Sequence, residues 1–144
     1  MSDMLVKVTD NSNLTLAELE KLIPVALEMV GMQAEGNAKL HLEGHVDTGL
    51  LRNSITYAIG GQSPAISAYK ADNPKPNKPS SGTYSGTAPG KDDTLYIGTN
   101  VEYAIYVEKG TSKMAPVSFL RNAMSSHTEE YKKILEKVLS SIGK

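Results

Sequence analysis

The chain has 144 residues, a formal net charge of −1 and no cysteine. This length fits a single domain, 1–144, with room for a sizeable core, and the near-neutral charge argues against the basic surface typical of nucleic-acid-binding domains. The lack of cysteine excludes disulfides, thiolate metal sites and a cysteine nucleophile, and apolar runs of only a few residues predict no membrane span.

The charges are unevenly distributed along the chain. Residues 1–61 carry eight acidic and four basic side chains, whereas residues 94–144 carry five acidic and seven basic ones. Ordinary variation over a solvated surface would explain this difference. Complementary faces for head-to-tail association in a ring would explain it as well, so both interpretations stay open at this point.

The N-terminal part predicts a short strand followed by one long helix. Residues 3–9 (DMLVKVT) alternate in part, as a strand does, and apolar side chains then recur at helical spacing over 16–44. Thr15 followed by Glu18 fits a capping box at the start of this helix. Pro24 predicts a kink, because it cannot donate a hydrogen bond to the carbonyl four residues earlier.

The middle of the chain predicts two strands joined by a long extension. Residues 46–54 fit a turn, residues 55–59 (ITYAI) alternate as a strand does, and residues 94–99 (TLYIGT) fit the returning strand. Residues 62–92, between the strands, contain five prolines and three glycines. Such a composition buries too little apolar surface to offset the entropy of ordering. It predicts a long, mobile hairpin loop, inserted as a flexible segment.

The C-terminal part predicts one helix after an ambiguous segment and a loop. Residues 103–108 (YAIYVE) fit either a strand or a short helix, residues 109–116 fit a loop, and apolar spacing predicts a helix over about 117–142. This order predicts an α+β fold, with the long N-terminal helix and the C-terminal helix packed on a small antiparallel sheet. The side chains expected in the core are Leu19, Leu22, Leu27, Val30, Ile55, Ile97, Leu120, Leu135 and Val138.

The tripeptide Asp47-Thr48-Gly49 has a catalytic association and a structural one. Aspartic proteases carry Asp-Thr-Gly, and two such carboxylates, one from each subunit of a dimer, share a proton. In those enzymes a hydrophobic strand precedes the tripeptide, whereas here a predicted helix precedes it and Leu50-Leu51 follows. The pattern favours a structural turn in which Asp47 or Thr48 caps a segment running to Arg52 and Gly49 supplies backbone freedom.

Residues for other kinds of chemistry are sparse. His41 and His45 are spaced to lie on one helix face, but no third metal ligand accompanies them. The sequence shows no nucleophile elbow and no glycine-rich phosphate loop. The seven tyrosines fit half-buried sheet packing or the anchoring of an interface. We therefore predict no catalytic residue, no metal site and no cofactor.

Three blocks of sequence resemble a known family. They are residues 46–55 (VDTGLLRNSI), residues 97–114 (IGTNVEYAIYVEKGTSKM) and residues 119–123 (FLRNA). In this order and at this spacing they resemble the minor tail-component proteins, or neck and tail-completion proteins, of long-tailed bacteriophages and prophages. The resemblance covers roughly 46–60 and 95–125.

The resemblance implies a structural virion protein of the tail or neck, made in the cytoplasm of the bacterial host and without enzymatic activity. It implies action in tail completion or head–tail joining through a ring-like homo-oligomer, for example a hexamer. The implied partners are copies of itself and other phage neck and tail proteins, with no membrane and no sequence-specific nucleic acid. A protease-like homodimer and a generic protein-interaction module are the alternatives.

The same blocks supply the candidate site residues. Asp47, Thr48, Gly49 and Arg52 are expected to form the structural turn, with Arg52 reaching a carboxylate such as Glu108. The candidates for contacts between subunits or with partners are Tyr103, Tyr106, Glu108, Gly110, Thr111, Lys113, Phe119 and Arg121.

Overall fold

The computed structural model describes residues 16–140. Helices at both ends of that range flank pairs of antiparallel strands, which confirms the α+β prediction. The strand predicted over 3–9, the Thr15 half of the capping box and residues 141–142 of the predicted C-terminal helix lie outside the described residues. The elements within the range are α1 (Leu16–His41), α2 (Leu50–Ser54), β1 (Thr56–Ile59), β2 (Ala68–Lys70), β3 (Ser81–Thr83), β4 (Leu95–Gly98), α3 (Ala104–Lys109), α4 (Phe119–Ser125) and α5 (Thr128–Ser140).

Helix α1 forms the backbone of the fold. It continues through Pro24 as one helix, and its buried residues recur every three or four positions, as one helix face requires. It ends at His41, three residues earlier than predicted, because Gly44 takes a left-handed conformation with φ of 87° in the turn that follows. The apolar residues of α1 on its buried face are Ala26, Leu27, Val30, Ala34 and Ala38.

Strands β1 and β4 pair antiparallel, with Thr56 opposite Gly98 and Ile59 opposite Leu95. Both predicted strands are thereby confirmed. Helix α1 packs across this pair, and the two approach closely at Gly31, since a Cβ added there would lie 2.5 Å from the Tyr57 ring. Glycine weakens a helix relative to alanine. At this position the close packing on β1 offsets that loss of helix stability.

The core consists of two adjoining groups of buried side chains. One lies between α1, the β1–β4 pair and α5, and includes Val30, Leu95 and Tyr131. The other lies between the end of α1, α2 and α4, and includes Ile55 and Phe119. Of the predicted core residues, Leu27, Val30, Ile55 and Leu135 are buried, whereas Leu19, Leu22, Ile97, Leu120 and Val138 are partly buried.

The C-terminal helix predicted over about 117–142 is interrupted, because α4 ends at Ser125 and α5 begins at Thr128. The Thr128 hydroxyl donates to the carbonyls of Met124 at 3.3 Å and Ser125 at 3.2 Å. Serine and threonine side chains compete for backbone groups in this way and favour helix ends. Apolar spacing continues across the break, so the pattern by itself predicted one helix.

Residues 62–92 have structure of their own, contrary to the expectation drawn from their composition. Strands β2 and β3 pair antiparallel within the segment, and Ala71 is buried. The Tyr84 hydroxyl donates to the carbonyl of Ser54 at 2.6 Å and accepts the backbone N–H of Asn100 at 3.2 Å. Hydrogen bonds to the rest of the fold therefore hold this hairpin in place. The prediction from composition considered only apolar burial and did not include these bonds.

Two shorter segments also differ from, or go beyond, the sequence prediction. Residues 46–54 were predicted as a turn, and their second half is instead α2. The ambiguous residues 103–108 fall mostly in a helix, α3. No helix within residues 16–140 combines the length and the hydropathy that a membrane crossing requires.

Candidate functional site

The turn at Asp47-Thr48-Gly49 joins α1 to α2. Gly49 occupies the N-cap position of α2 with φ of 86°, a conformation that favours glycine. The Thr48 hydroxyl accepts the backbone N–H of Leu50 at 3.3 Å, as a turn-forming threonine does. A Cβ on Gly49 would lie 3.0 Å from a carboxylate oxygen of Asp72, so the hairpin packs closely against this turn.

The Asp47 carboxylate is bound by two lysines of the hairpin, Lys75 and Lys78. Hydrogen bonds and charge attraction from these two ammonium groups lower the pKa of Asp47 from 3.8 to about 2. A protease dyad requires a carboxyl that shares a proton with its counterpart. A carboxylate held ionised by lysines of its own chain is poorly suited to that role, so the geometry favours the structural interpretation of the tripeptide.

Glu108 caps helix α4, and the expected pairing with Arg52 is wrong. The two carboxylate oxygens of Glu108 accept the backbone N–H groups of Leu120 at 2.8 Å and Arg121 at 3.1 Å. The first turn of a helix leaves such donors without intrahelical partners, and the N-cap residue Ser118 makes no side-chain cap bond. Among the described residues, Arg52 forms no ion pair with a carboxylate.

The predicted contact residues divide into buried and exposed ones. Phe119 is 0% exposed and belongs to the core, so it is unavailable to a partner. Gly110 has φ of 78°, and a Cβ there would lie 2.7 Å from the backbone nitrogen of Pro116, so its role is a tight turn. The contact candidates that the structure leaves exposed are Tyr103, Tyr106, Thr111, Lys113 and Arg121.

The exposed tyrosines border a groove of about 430 Å³ between the β2–β3 hairpin and the start of α3. We call it the tyrosine groove, because its walls include Tyr69, Tyr103 and Tyr106 together with Leu50 and Pro79. Burial raises the pKa of Tyr69 and of Tyr103 above the usual value for tyrosine, so both hydroxyls stay neutral. The groove is therefore amphipathic, with aromatic surface, neutral tyrosine hydroxyls and the acidic side chain of Glu102.

The tyrosine groove is built by elements that are distant in sequence. Tyr69 comes from β2, and its hydroxyl donates to the side chain of Asn100 after β4. The rings of Tyr69 and Tyr84 lie 5.5 Å apart, centroid to centroid. The sequence indicated that tyrosines suit an interface, but only the packing of the hairpin against α2 places Tyr69 in the same groove as Tyr106.

The histidines do not form the metal site that their spacing would permit. His45 lies beyond the end of α1, and His41 contacts His127 instead, with 3.0 Å between their Nε2 atoms. In the described part of the chain no group of three or more metal-ligating side chains is found. His127 also pairs with Glu130, so this cluster contributes to the packing of α1 against α5.

The prediction for α1 covered only its buried face and missed an exposed apolar row on the same helix. Val25, Met29, Met32 and Leu40 are all exposed. Their separations of four, three and eight residues place them on one side of the helix. The signal was present as a second helical periodicity, but a sequence pattern does not show which of two apolar faces lies outside.

Comparison with known proteins identifies one family. The family model "HK97-gp10_like: Bacteriophage HK97-gp10, putative tail-component" matches residues 12–110. That range includes α1, both strand pairs, the Asp47 turn and α3. No curated protein and no solved structure matches the chain.

Proposed function

This chain belongs to the HK97-gp10-like family of bacteriophage tail components, and we propose on that premise that it is a structural virion protein acting in tail completion or head–tail joining. The observation that carries the proposal is the family match, which extends over residues 12–110. The proposed location is the tail or neck of the virion, and the proposed partners are further copies of the chain and other neck and tail proteins.

The surface of the subunit supports a role in assembly. Monomeric proteins rarely expose contiguous apolar patches without a function. Here large apolar side chains are exposed on α1, and others are exposed on and around α3, among them Ile105, Tyr106 and Met114. Protein surfaces of this kind are typical of contact sites, which agrees with a protein that works by docking and self-association.

The alternatives receive less support from the geometry. A protease would use Asp47, but that carboxylate is held by Lys75 and Lys78 of the same chain. A generic interaction module would fit the exposed apolar surface equally well, and the family match supports the tail component over this alternative.

Disruption of the gene in the phage or prophage that encodes the chain tests the proposal. We expect lysates to contain separate heads and tails, or unfinished tails, in electron micrographs, and infectious particles to fall by orders of magnitude. A plasmid copy of the gene should restore infectivity, while the empty plasmid should not. Normal, infectious particles in the disrupted strain would refute the proposed function, as would absence of the chain from purified virions by mass spectrometry.

A further inference from the structure

Two surfaces of the subunit have matching properties, and the first is the exposed apolar face of α1. We call it the methionine stripe and define it as Val25, Met29, Met32 and Leu40. Met32 is 61% exposed and Leu40 is 62% exposed. With a rise of 1.5 Å per residue, the stripe extends over roughly 22 Å. Gly36 lies on the same line, four residues from Met32 and four from Leu40, and a Cβ there would meet nothing within 4 Å. The stripe is therefore open along its length.

The second surface is the tyrosine groove. Tyr106, in its wall, is 58% exposed, and its neighbour in the chain, Ile105, is 53% exposed. An amphipathic helix commonly binds by laying its apolar face in such a groove. Tyrosine is well suited to anchor a contact, and methionine adapts its shape to irregular surfaces. The apolar character of the stripe therefore suits the aromatic character of the groove.

The chain segments that carry the two surfaces have net charges of opposite sign, while the wall of the groove itself includes the acidic Glu102. Residues 16–43, which include the stripe, contain five acidic and two basic side chains, a net charge of −3. Residues 68–83 and 102–113, which surround the groove, contain three acidic and five basic side chains, a net charge of +2. Including Asp47, which binds Lys75 and Lys78, leaves the groove side at +1. Complementary charges favour correct docking and suppress like-with-like contacts.

We propose that the methionine stripe of one subunit binds in the tyrosine groove of a second copy of this chain. The inference rests on the proposed function, which requires self-association, and adds the two surfaces involved. Because stripe and groove are different parts of the same chain, the contact is heterologous, and repetition produces a ring or a filament of subunits arranged head to tail. Pairing of stripe with stripe would stop at a dimer and would place two acidic surfaces together.

Single substitutions test each surface separately. Met32→Glu places a charge in the stripe, and Tyr106→Glu places one beside the groove; both positions are exposed, so the subunit itself should stay folded by circular dichroism. Each variant should raise the concentration needed for assembly by more than about tenfold in light scattering, the size expected for loss of an interface anchor. The matched controls are Leu16→Glu and Tyr96→Glu, which alter exposed side chains of α1 and β4 away from the two surfaces. They should assemble like the wild type.

Mixing the two variants gives the sharper test. The Met32→Glu subunit keeps its groove and the Tyr106→Glu subunit keeps its stripe, so the mixture should form 1:1 heterodimers that grow no further. No complex in the mixture would overturn the inference, and so would assembly that is lost in Met32→Glu but retained in Tyr106→Glu, since that result means stripe pairing with stripe.

The experiments distinguish failure of the stripe-and-groove contact from failure of the proposed tail role. A wild type that stays monomeric over the concentration series, or controls that fail to assemble as the variants do, would overturn the stripe-and-groove contact. Defective tails after gene disruption would still support the tail role in that case. Normal particles in the disrupted strain would refute the tail role even if the purified chain assembles as proposed.

Discussion

At the scale of the residue, nearby positions in two of the family-resembling blocks, 97–114 and 119–123, have different tasks. Glu108 holds the first turn of α4 through two backbone N–H groups, and Phe119, at the start of that turn, fills the core. Tyr106, two residues before Glu108, points instead to the surface. A block that resembles a family therefore combines residues that stabilise the subunit with residues that remain free for contacts.

Replacing Phe119 by alanine should destabilise the fold strongly. The side chain is fully buried, and Phe→Ala substitutions in cores cost about 3–5 kcal/mol through lost apolar burial and the cavity left behind. Leu120→Ala should cost less, because Leu120 is only partly buried. The measurement is urea denaturation followed by circular dichroism, with Tyr106→Ala as the exposed control. Equal losses for the two core variants would mean that Phe119 does not anchor α4.

The ion pairs of Asp47 should make stability depend on acid pH. The folded-state pKa of about 2 lies below the ordinary 3.8, so the carboxylate stabilises the fold above the unfolded pKa and loses that contribution as pH falls through the folded one. The difference in melting temperature between the wild type and Asp47→Asn should therefore be present at neutral pH and shrink between about pH 4 and 2. A difference that stays constant over this window would contradict the ion pairs with Lys75 and Lys78.

At the scale of the element, the β2–β3 hairpin is the part whose structure depends least on a core. Neither group of core side chains includes a residue from 62–92. Hydrogen bonds and ion pairs hold it instead, for example between the Asn53 side chain and the carbonyl of Lys70 at 2.9 Å. The same hairpin supplies Tyr69 and Pro79 to the tyrosine groove, so it connects local structure with the proposed contact.

Removing the hairpin should leave a folded subunit that no longer assembles. Replacing residues 66–90 by a short glycine-containing turn keeps β1 and β4 paired, and the entropy of loop closure changes only slowly with length. Circular dichroism should show a cooperative melt, while light scattering should show monomers because one wall of the groove is gone. An unfolded deletion variant would show that the hairpin is needed by the core, and a variant that still assembles would show that the groove is not the contact.

The mobility expected for residues 62–92 stays a prediction. Segments with few buried apolar contacts open at lower free energy than core elements. Backbone amides of β2 and β3 should therefore exchange with deuterium faster than those of β1 and β4 in the isolated subunit. Protection of the hairpin equal to that of the β1–β4 pair would contradict this expectation.

At the scale of the whole molecule, α1 connects the two groups of core side chains. Val30 and Ala34 belong to the group shared with α5, and Ala38 belongs to the group shared with α2 and α4. Loss of either group would uncover part of the same buried helix face. The single domain stays a prediction, and the one helix that serves both groups is the reason to expect it.

The described fold should therefore unfold in one transition. Leu135→Ala in the first group should cost about 2–5 kcal/mol, and Phe119→Ala perturbs the second; both should lower the same melting temperature. Coincidence of circular dichroism and tyrosine fluorescence would support two-state behaviour. Two separate transitions, each sensitive to one of the substitutions, would show that the groups fold independently.

The sequence by itself determined the local elements, because their signals are local. Helical spacing predicted α1, alternation predicted β1 and β4, and the three resembling blocks predicted the family that the match over residues 12–110 supports. Only the tertiary structure decided that α4 and α5 are separate helices, that Glu108 caps α4 rather than pairing with Arg52, and that the hairpin lies against the fold. The Glu108 cap and the hairpin contacts depend on hydrogen bonds between residues that are separated in the chain, and the break between α4 and α5 leaves the apolar spacing unchanged. Neither feature is visible in the periodicity of a single sequence.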